Sequence, residues 1–169
     1  MTARDRNIAL HEAGHAVASC CLQCPILGVT IIPQAGSLGH VKHAPINWLN
    51  EQGAFHDTPD NRRSVESRIV ISYSGPLASR KFQPRSYWRK GGRSDFITAK
   101  MLMDPLQCSD KRYNSLYERL LWRRAELLVD ERWHEINAVA DALLSHGMLD
   151  LKELEETILS AFVNRPKAV

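Results

Sequence analysis

Residues 8–18 of this 169-residue chain read IALHEAGHAVA. Within this stretch His11 and His15 are four positions apart, so on an α-helix both imidazoles project from one face, about one turn apart. A single Zn²⁺ can take one nitrogen from each of them. Glu12 lies between the two histidines, where its carboxylate can act as a general base on a water molecule rather than as a ligand, in the H-E-x-x-H pattern.

The flanking residues favour this interpretation over a chance match on a solvated helix. Apolar residues stand on both sides of the motif, at 8–10 and 16–18, so we expect the helix to be buried. Burying histidine and glutamate without partners is costly, which implies a ligand or a hydrogen-bond network. Gly14 costs about 1 kcal/mol relative to alanine inside a helix. A glycine there indicates that another segment approaches closely.

Composition and charge limit the function classes. With 44% hydrophobic residues, the chain can bury a core, and its length predicts one domain over residues 1–169. No stretch approaches the ~20 apolar residues of a membrane span, and residues 1–7 are polar and charged rather than a signal-peptide core, so we expect a cytoplasmic protein without membrane insertion. The net charge of +3 is spread diffusely along the chain, which argues against nucleic-acid binding.

The periodicity of apolar residues predicts a mainly helical α+β fold. The first helix is expected from about residue 2 or 3 to Leu22. Val29, Ile31 and Ile32 predict a strand, and the segment from Leu38 to His43 predicts a returning strand after a turn at 35–37. Further helices are expected over 59–82, from about Ser94 to before Pro105, over about 109–145 with a stop at Gly147, and from Asp150 onward.

Two segments between these elements are unusual. Gly75-Pro76 falls inside the 59–82 pattern and is expected to kink or divide that helix, because proline cannot donate a backbone hydrogen bond. Residues 84–92 form a basic, aromatic loop that includes Tyr87, Trp88, Arg89 and Lys90. Such a loop is more often a solvated surface than a binding site.

A catalytic zinc needs a third protein ligand, and residue types alone leave several candidates. Position 21 is a cysteine, so no third histidine extends the motif six residues beyond His15. Asp95 lies in GGRSDF, where a glycine-rich loop enters a helix, but a first-turn acid there is also ordinary capping. The remaining candidates by residue type are His40, His43, His56, His134 and His146.

The run from Ile8 to Pro45 resembles the peptidase domain of the FtsH family of AAA-linked zinc metalloproteases. The similarity lies in the H-E-A-G-H-A block, the I-I-P that follows, and an L-G before the second strand. Residues 73–99, with G-x-x-A and then GGRSDFITA, look like the family segment that carries the third ligand. The resemblance implies a zincin-like metal helix followed by a small β-sheet and a helical C-terminal part. It implies Zn²⁺ as cofactor, Glu12 as base, and the metal ligands His11, His15 and Asp95.

The chain also departs from the family pattern. It contains no G-x-x-x-x-G-K-[ST] phosphate-binding loop, so we expect a stand-alone peptidase domain, without the ATPase or membrane segments, that cannot power unfolding itself. The usual P-R-G after the first strand is Pro33-Gln34-Ala35 here. The expected partners are a polypeptide substrate, a separate AAA ATPase and further copies of the chain in a homo-oligomer.

These observations lead to the hypothesis of a zinc-dependent endopeptidase that cleaves extended or unfolded polypeptide without ATP coupling of its own. Leu38, Gly39, His40 and Val41 are expected to bind the peptide as an added strand, with Gly39 allowing close backbone approach. The alternative for this segment is an ordinary hairpin. The rival hypothesis is a non-catalytic adaptor or regulatory protein that keeps the fold and metal and acts through the 84–92 loop. A metallohydrolase of non-peptide amides is a third.

Overall fold

The computed structural model describes residues 2–33, 39–43, 48, 54–84 and 91–165, and helices dominate them. A small antiparallel sheet of three strands accompanies the helices, which confirms the predicted α+β, mainly α-helical fold class. The strands are β1 (Ile26–Thr30), β2 (His40–His43) and β3 (Met148–Asp150). The helices are α1 (Ala3–Cys21), α2 (Pro59–Phe82), α3 (Arg93–Met103), α4 (Lys111–Glu131), α5 (Trp133–His146) and α6 (Leu151–Val163), with a 3₁₀ turn at Asp104–Leu106 between α3 and α4.

Side-chain caps fix the ends of α1 and α6 where the sequence predicts them. Thr2 and Asp5 form a capping box at the start of α1, because each side chain accepts a hydrogen bond from the other's backbone N–H. Asp150 and Glu153 form the same reciprocal pair at the start of α6. Gly147 ends α5 with a φ of 79°, a left-handed conformation that glycine adopts without strain.

The predicted division of the 59–82 helix is wrong, because α2 is a single helix through Gly75-Pro76. Residues 69–79 of this helix are buried without interruption. A proline inside a helix costs about 3 kcal/mol in lost hydrogen bonding and steric strain. The buried contacts of α2 with α1, α3 and α4 supply the stabilisation that local propensity lacks.

The single helix predicted over about 109–145 is also wrong. The chain forms two helices there, α4 and α5, which meet at Arg132, whose φ of −104° and ψ of 18° lie outside the helical region. One straight helix of that length would extend about 55 Å, whereas a domain of this size is about 40 Å across. The break lets both helices pack on one core, with α4 against α2 and α5 against α1.

The sheet has the order β2-β1-β3, and both pairings are antiparallel. The predicted first strand is shifted, since β1 runs over Ile26–Thr30 and leaves Ile31 and Ile32 beyond its end. Pairing sets these bounds: Val29 lies opposite Val41 on one side and Leu149 on the other. The strand β3 has three residues and no predictive pattern of its own, so the sequence did not indicate it.

The helix α1 lies at the centre of the molecule. Residues 12–19 are buried without interruption, and Leu10 and Val17 have no exposed surface. α2 and α5 make the most extensive contacts with it, and β1 and β2 cover its remaining side. The described helices include none that combines the length and the apolarity needed to cross a bilayer. The histidine motif is carried on a central helix that packs against α2, α5 and the sheet.

Candidate metal centre

Two glycines place α2 directly against the histidine face of α1. A Cβ built on Gly14 would lie 2.8 Å from the carbonyl oxygen of Ser74 and 2.9 Å from the Cβ of Ala78. A Cβ built on Gly75 would lie 2.6 Å from Cδ2 of the His15 ring. All three separations are shorter than real Cβ contacts, so neither position tolerates a side chain at this helix spacing. The close approach predicted from Gly14 is therefore present, and α2 is the segment that makes it.

The backbone and side chains of α2 also orient the two imidazoles. Nδ1 of His15 donates a hydrogen bond to the carbonyl oxygen of Ile71, 2.8 Å away. Nδ1 of His11 lies 3.3 Å from Oγ of Ser79. With their protons on Nδ1, both rings present the lone pair of Nε2 to the cleft, as a metal-ligating histidine requires. The sequence did not indicate Ile71 or Ser79, because a backbone carbonyl and a lone serine carry no recognisable motif.

Asp95 completes the cluster from the first turn of α3. The N-cap residue of this helix is Gly92, and no side chain caps the helix N-terminus. The carboxylate of Asp95 is therefore not used as a helix cap. Its Oδ2 lies 3.1 Å from Nε2 of His11, and its Oδ1 lies 3.4 Å from Nε2 of His15. Among the candidates that residue type left open, the structure brings Asp95 to the histidine pair.

The separations among the donor atoms suit a tetrahedral metal ion. The two Nε2 atoms lie 3.2 Å apart, and each faces a different oxygen of Asp95, at 3.1 Å for Oδ2 and 3.4 Å for Oδ1. Ligands at the usual ~2.0–2.1 Å from Zn²⁺ in a tetrahedral array are about 3.3–3.4 Å from one another. Among the described residues, His11, His15 and Asp95 are the group of three that could hold a metal ion in this way.

The polar atoms of the cluster that lack hydrogen-bond partners also indicate a metal ion. With both imidazoles neutral and protonated on Nδ1 only, Oδ2 of Asp95 is buried without a hydrogen-bond donor among the described residues. The two Nε2 atoms face each other at a distance where both would present lone pairs. Buried polar atoms normally have partners. A shared divalent cation would satisfy all three atoms, so the residues present fit Zn²⁺.

Electrostatics within the cluster are dominated by the histidine–aspartate attraction. Burial by itself disfavours the charged forms of His15 and Asp95. The attraction between them outweighs burial, raising the pKa of His15 to about 9 and holding the pKa of Asp95 well below its usual range. A proton therefore occupies His15 at neutral pH when no metal is bound, and a metal ion must displace it.

Glu12 lies beside this cluster in a position distinct from the ligands. Its side chain is buried, and burial raises the pKa of its carboxyl group, against the opposing effect of the neighbouring histidines. A Cβ built on Gly39 would lie 2.6 Å from Cγ and 2.7 Å from Oε1 of Glu12. The backbone before β2 is thus packed directly on the carboxylate, and a side chain at position 39 would require Glu12 to move.

A cleft of about 690 Å³ opens over the cluster. Of the residues predicted to bind substrate, Gly39, His40 and Val41 line it, while Leu38 lies outside the described residues. The histidines at positions 56, 134 and 146 do not belong to its lining. The lining also includes His43, Trp48, Arg68, Ser94, Thr98 and Leu102, which sequence reasoning did not assign to a substrate cleft.

Comparison of the chain with models of protein families and with curated proteins gives no match. The interpretation of the site therefore depends on its own geometry and chemistry.

Proposed function

We propose that this chain is a zinc-dependent endopeptidase that hydrolyses peptide bonds of extended or unfolded polypeptide. One observation carries the proposal. Two imidazole nitrogens and the Asp95 carboxylate converge on the floor of an open cleft, with neighbouring nitrogen and oxygen atoms 3.1–3.4 Å apart, and a buried carboxylate that is not a ligand lies beside them. A purely structural zinc site is usually closed by four protein ligands, whereas a catalytic site keeps a position open.

The residues of the cluster and its neighbour Glu12 would have separate chemical roles. His11, His15 and Asp95 would hold Zn²⁺, which when bound supplies a Lewis acid that polarises the scissile carbonyl and activates water. Glu12 would accept the proton of the attacking water and return it to the leaving nitrogen. Its raised pKa suits both steps, since a general base works best when its pKa approaches the working pH.

The position of β2 supports binding of an extended peptide. Among the described strands β2 is an outer strand, paired with β1 and with no other. Its residues from His40 to Val41, together with Gly39, lie along the cleft. A substrate that adds a strand at this edge would have its backbone carried past Glu12, because Gly39 packs on that carboxylate.

Metal analysis together with cleavage of a peptide library tests the proposal. Purified protein should contain about one Zn²⁺ per chain, and it should cleave unstructured peptides. Glu12→Gln should keep the zinc and lower the hydrolysis rate by ~10²- to 10⁴-fold, as expected for loss of a general base. Glu155→Gln, on the exposed surface of α6, is the matched control and should behave as wild type.

The outcomes separate the rival hypotheses. Peptide binding without cleavage by the zinc-loaded wild type would favour the adaptor hypothesis. Cleavage of small amides but not of peptides would favour the third hypothesis. No observation on the described residues favours the adaptor, since residues 85–90 of its expected binding loop lie outside them. The cytoplasmic location, the separate AAA ATPase and the homo-oligomer are further parts of the proposal.

A further inference from the structure

Arg68 brings a positive charge into the wall of the cleft. Among the described residues that line the cleft, it is the one lysine or arginine. Its side chain is half-buried on α2, and burial lowers the pKa of the guanidinium. A cation that has partly lost its water is stabilised by an anion that enters the same space.

The position of Arg68 along α2 places this charge on one side of the candidate metal centre. Ile71, whose carbonyl oxygen orients His15, follows it by one turn, and Ser79, which lies against His11, comes three turns later. At 1.5 Å per residue, Arg68 lies about 10 Å along the helix before Gly75, the contact of His15. The guanidinium therefore belongs to the His15 end of the cleft, and Ser79 to the His11 end.

His43, at the end of β2, provides a second polar group at the same end. It lines the cleft, and its Nδ1 is buried without a hydrogen-bond partner among the described residues. Burial and then the charge of Arg68 lower the pKa of His43 to about 4, so its imidazole is neutral at physiological pH. A neutral imidazole can carry its proton on Nδ1 and donate one hydrogen bond from there.

We infer that Arg68 and His43 form an anionic subsite of the cleft, which binds a carboxylate of the peptide and makes the protein selective for acidic substrates. The inference rests on the proposed peptidase function and adds the substrate class. Arginine matches a carboxylate with two parallel N–H donors, and His43 adds a third. With strands advancing about 3.3 Å per residue, the recognised carboxylate lies about one to three residues from the scissile bond.

The carboxylate can come from an aspartate or glutamate side chain or from the C-terminus of the substrate. Peptide binding to zinc-loaded Glu12→Gln, followed by fluorescence anisotropy, distinguishes the two sources. One set of amidated peptides carries glutamate or glutamine at each position in turn. A second set is free of acidic side chains and ends in a carboxylate or an amide.

We expect one acidic position, or the free C-terminus, to strengthen binding by at least tenfold, in line with a charge-assisted hydrogen bond. Adding Arg68→Gln should abolish this preference and leave neutral peptides within twofold of the parent. Arg68→Glu should reverse it in favour of lysine. Arg63→Gln, one to two turns earlier on the exposed side of α2, is the matched control and should change nothing. Arg68→Lys keeps the charge and should retain part of the preference.

Equal binding of acidic and neutral peptides, or a preference that survives Arg68→Gln, would overturn the subsite. The binding assay also separates this failure from failure of the proposed function. If acidic peptides bind in an Arg68-dependent manner but wild type cleaves none of them, the subsite stands and the peptidase proposal falls. If Arg68→Gln does not fold, as judged by circular dichroism, Arg68→Lys decides: a reduced preference for acidic peptides supports the subsite, and an unchanged preference overturns it. Failure of every peptide to bind would overturn both ideas.

Discussion

Replacing Gly75 with alanine should release zinc while leaving the protein folded. The new Cβ would lie 2.6 Å from Cδ2 and 2.7 Å from Cε1 of the His15 ring. Carbon atoms in contact are normally about 3.5–4.0 Å apart, so the ring must withdraw by about 1 Å. Zinc–ligand distances tolerate only about ±0.2 Å. His15 cannot recover by tilting, because the carbonyl oxygen of Ile71 holds its other nitrogen.

The same substitution should change the free energy of unfolding only modestly. Alanine gains about 1 kcal/mol over glycine inside a helix, and overpacking of a core costs about 1–3 kcal/mol. The net loss of about 0–2 kcal/mol is small against the 5–15 kcal/mol that stabilises an ordinary domain. Zinc affinity, by contrast, should fall by at least 100-fold, beyond the 10- to 100-fold typical of a disturbed outer contact.

Competition with a chromophoric chelator measures the zinc affinity, and thermal unfolding in excess chelator measures the stability of the metal-free protein. Gly91→Ala is the matched control, because a Cβ built on Gly91 meets no atom within 4 Å. It should bind zinc as wild type does. Zinc affinity of Gly75→Ala within twofold of wild type would refute the argument that close packing of α2 sets the position of His15.

Three further predictions concern the metal ligands and the substrate. Asp95→Ala should lose most of the bound zinc in elemental analysis, and full occupancy would place the third ligand elsewhere. Zinc binding at pH 7 should release about one proton from His15, whose metal-free pKa is raised to about 9, and this release should vanish as pH rises through that value. Calorimetry in buffers of different ionisation enthalpy counts the proton, and zero release would contradict the pairing with Asp95. Cleavage by this chain alone should be independent of ATP and should spare a stably folded substrate, which resists by its 5–15 kcal/mol; equal rates on native and destabilised forms would exclude recognition of an extended peptide.

Local patterns predicted the parts of the site that lie close together in the sequence. The spacing of His11 and His15 requires only a helix, and the capping residues around Thr2 and Asp150 start helices wherever the chain places them. Residue type and spacing do not single out Asp95 as the third ligand, because several histidines are equally acceptable candidates. Its role as a neighbour of the histidine pair depends on how α3 packs against α2, which no short window of sequence encodes.

The features that the sequence did not predict correctly have the same origin, because they too depend on tertiary contacts. Gly75-Pro76 predicts a kink or a division of the helix, because its local cost is visible in the sequence and its tertiary contact with His15 is not. The break at Arg132 involves neither glycine nor proline, and it follows from the need to fold two helices onto one core. Arg68 and His43 belong to no motif, and they meet only when α2 and β2 line the same cleft.

The order of the sheet has a consequence for biosynthesis. The central strand β1 is paired by β2 almost at once, but its other edge is satisfied by β3, which lies near the opposite end of the chain. At ~5–20 residues per second, a ribosome needs on the order of ten seconds to deliver that partner. Throughout this interval the growing chain presents an open strand edge, the kind of surface that recruits other chains. The pair of β1 and β2 can therefore form early, but the other edge of β1 stays open until β3 is synthesised. Chaperones that cover strand edges should matter most before the carbonyl oxygen of Gly147 accepts the hydrogen bond from the backbone N–H of Ile31.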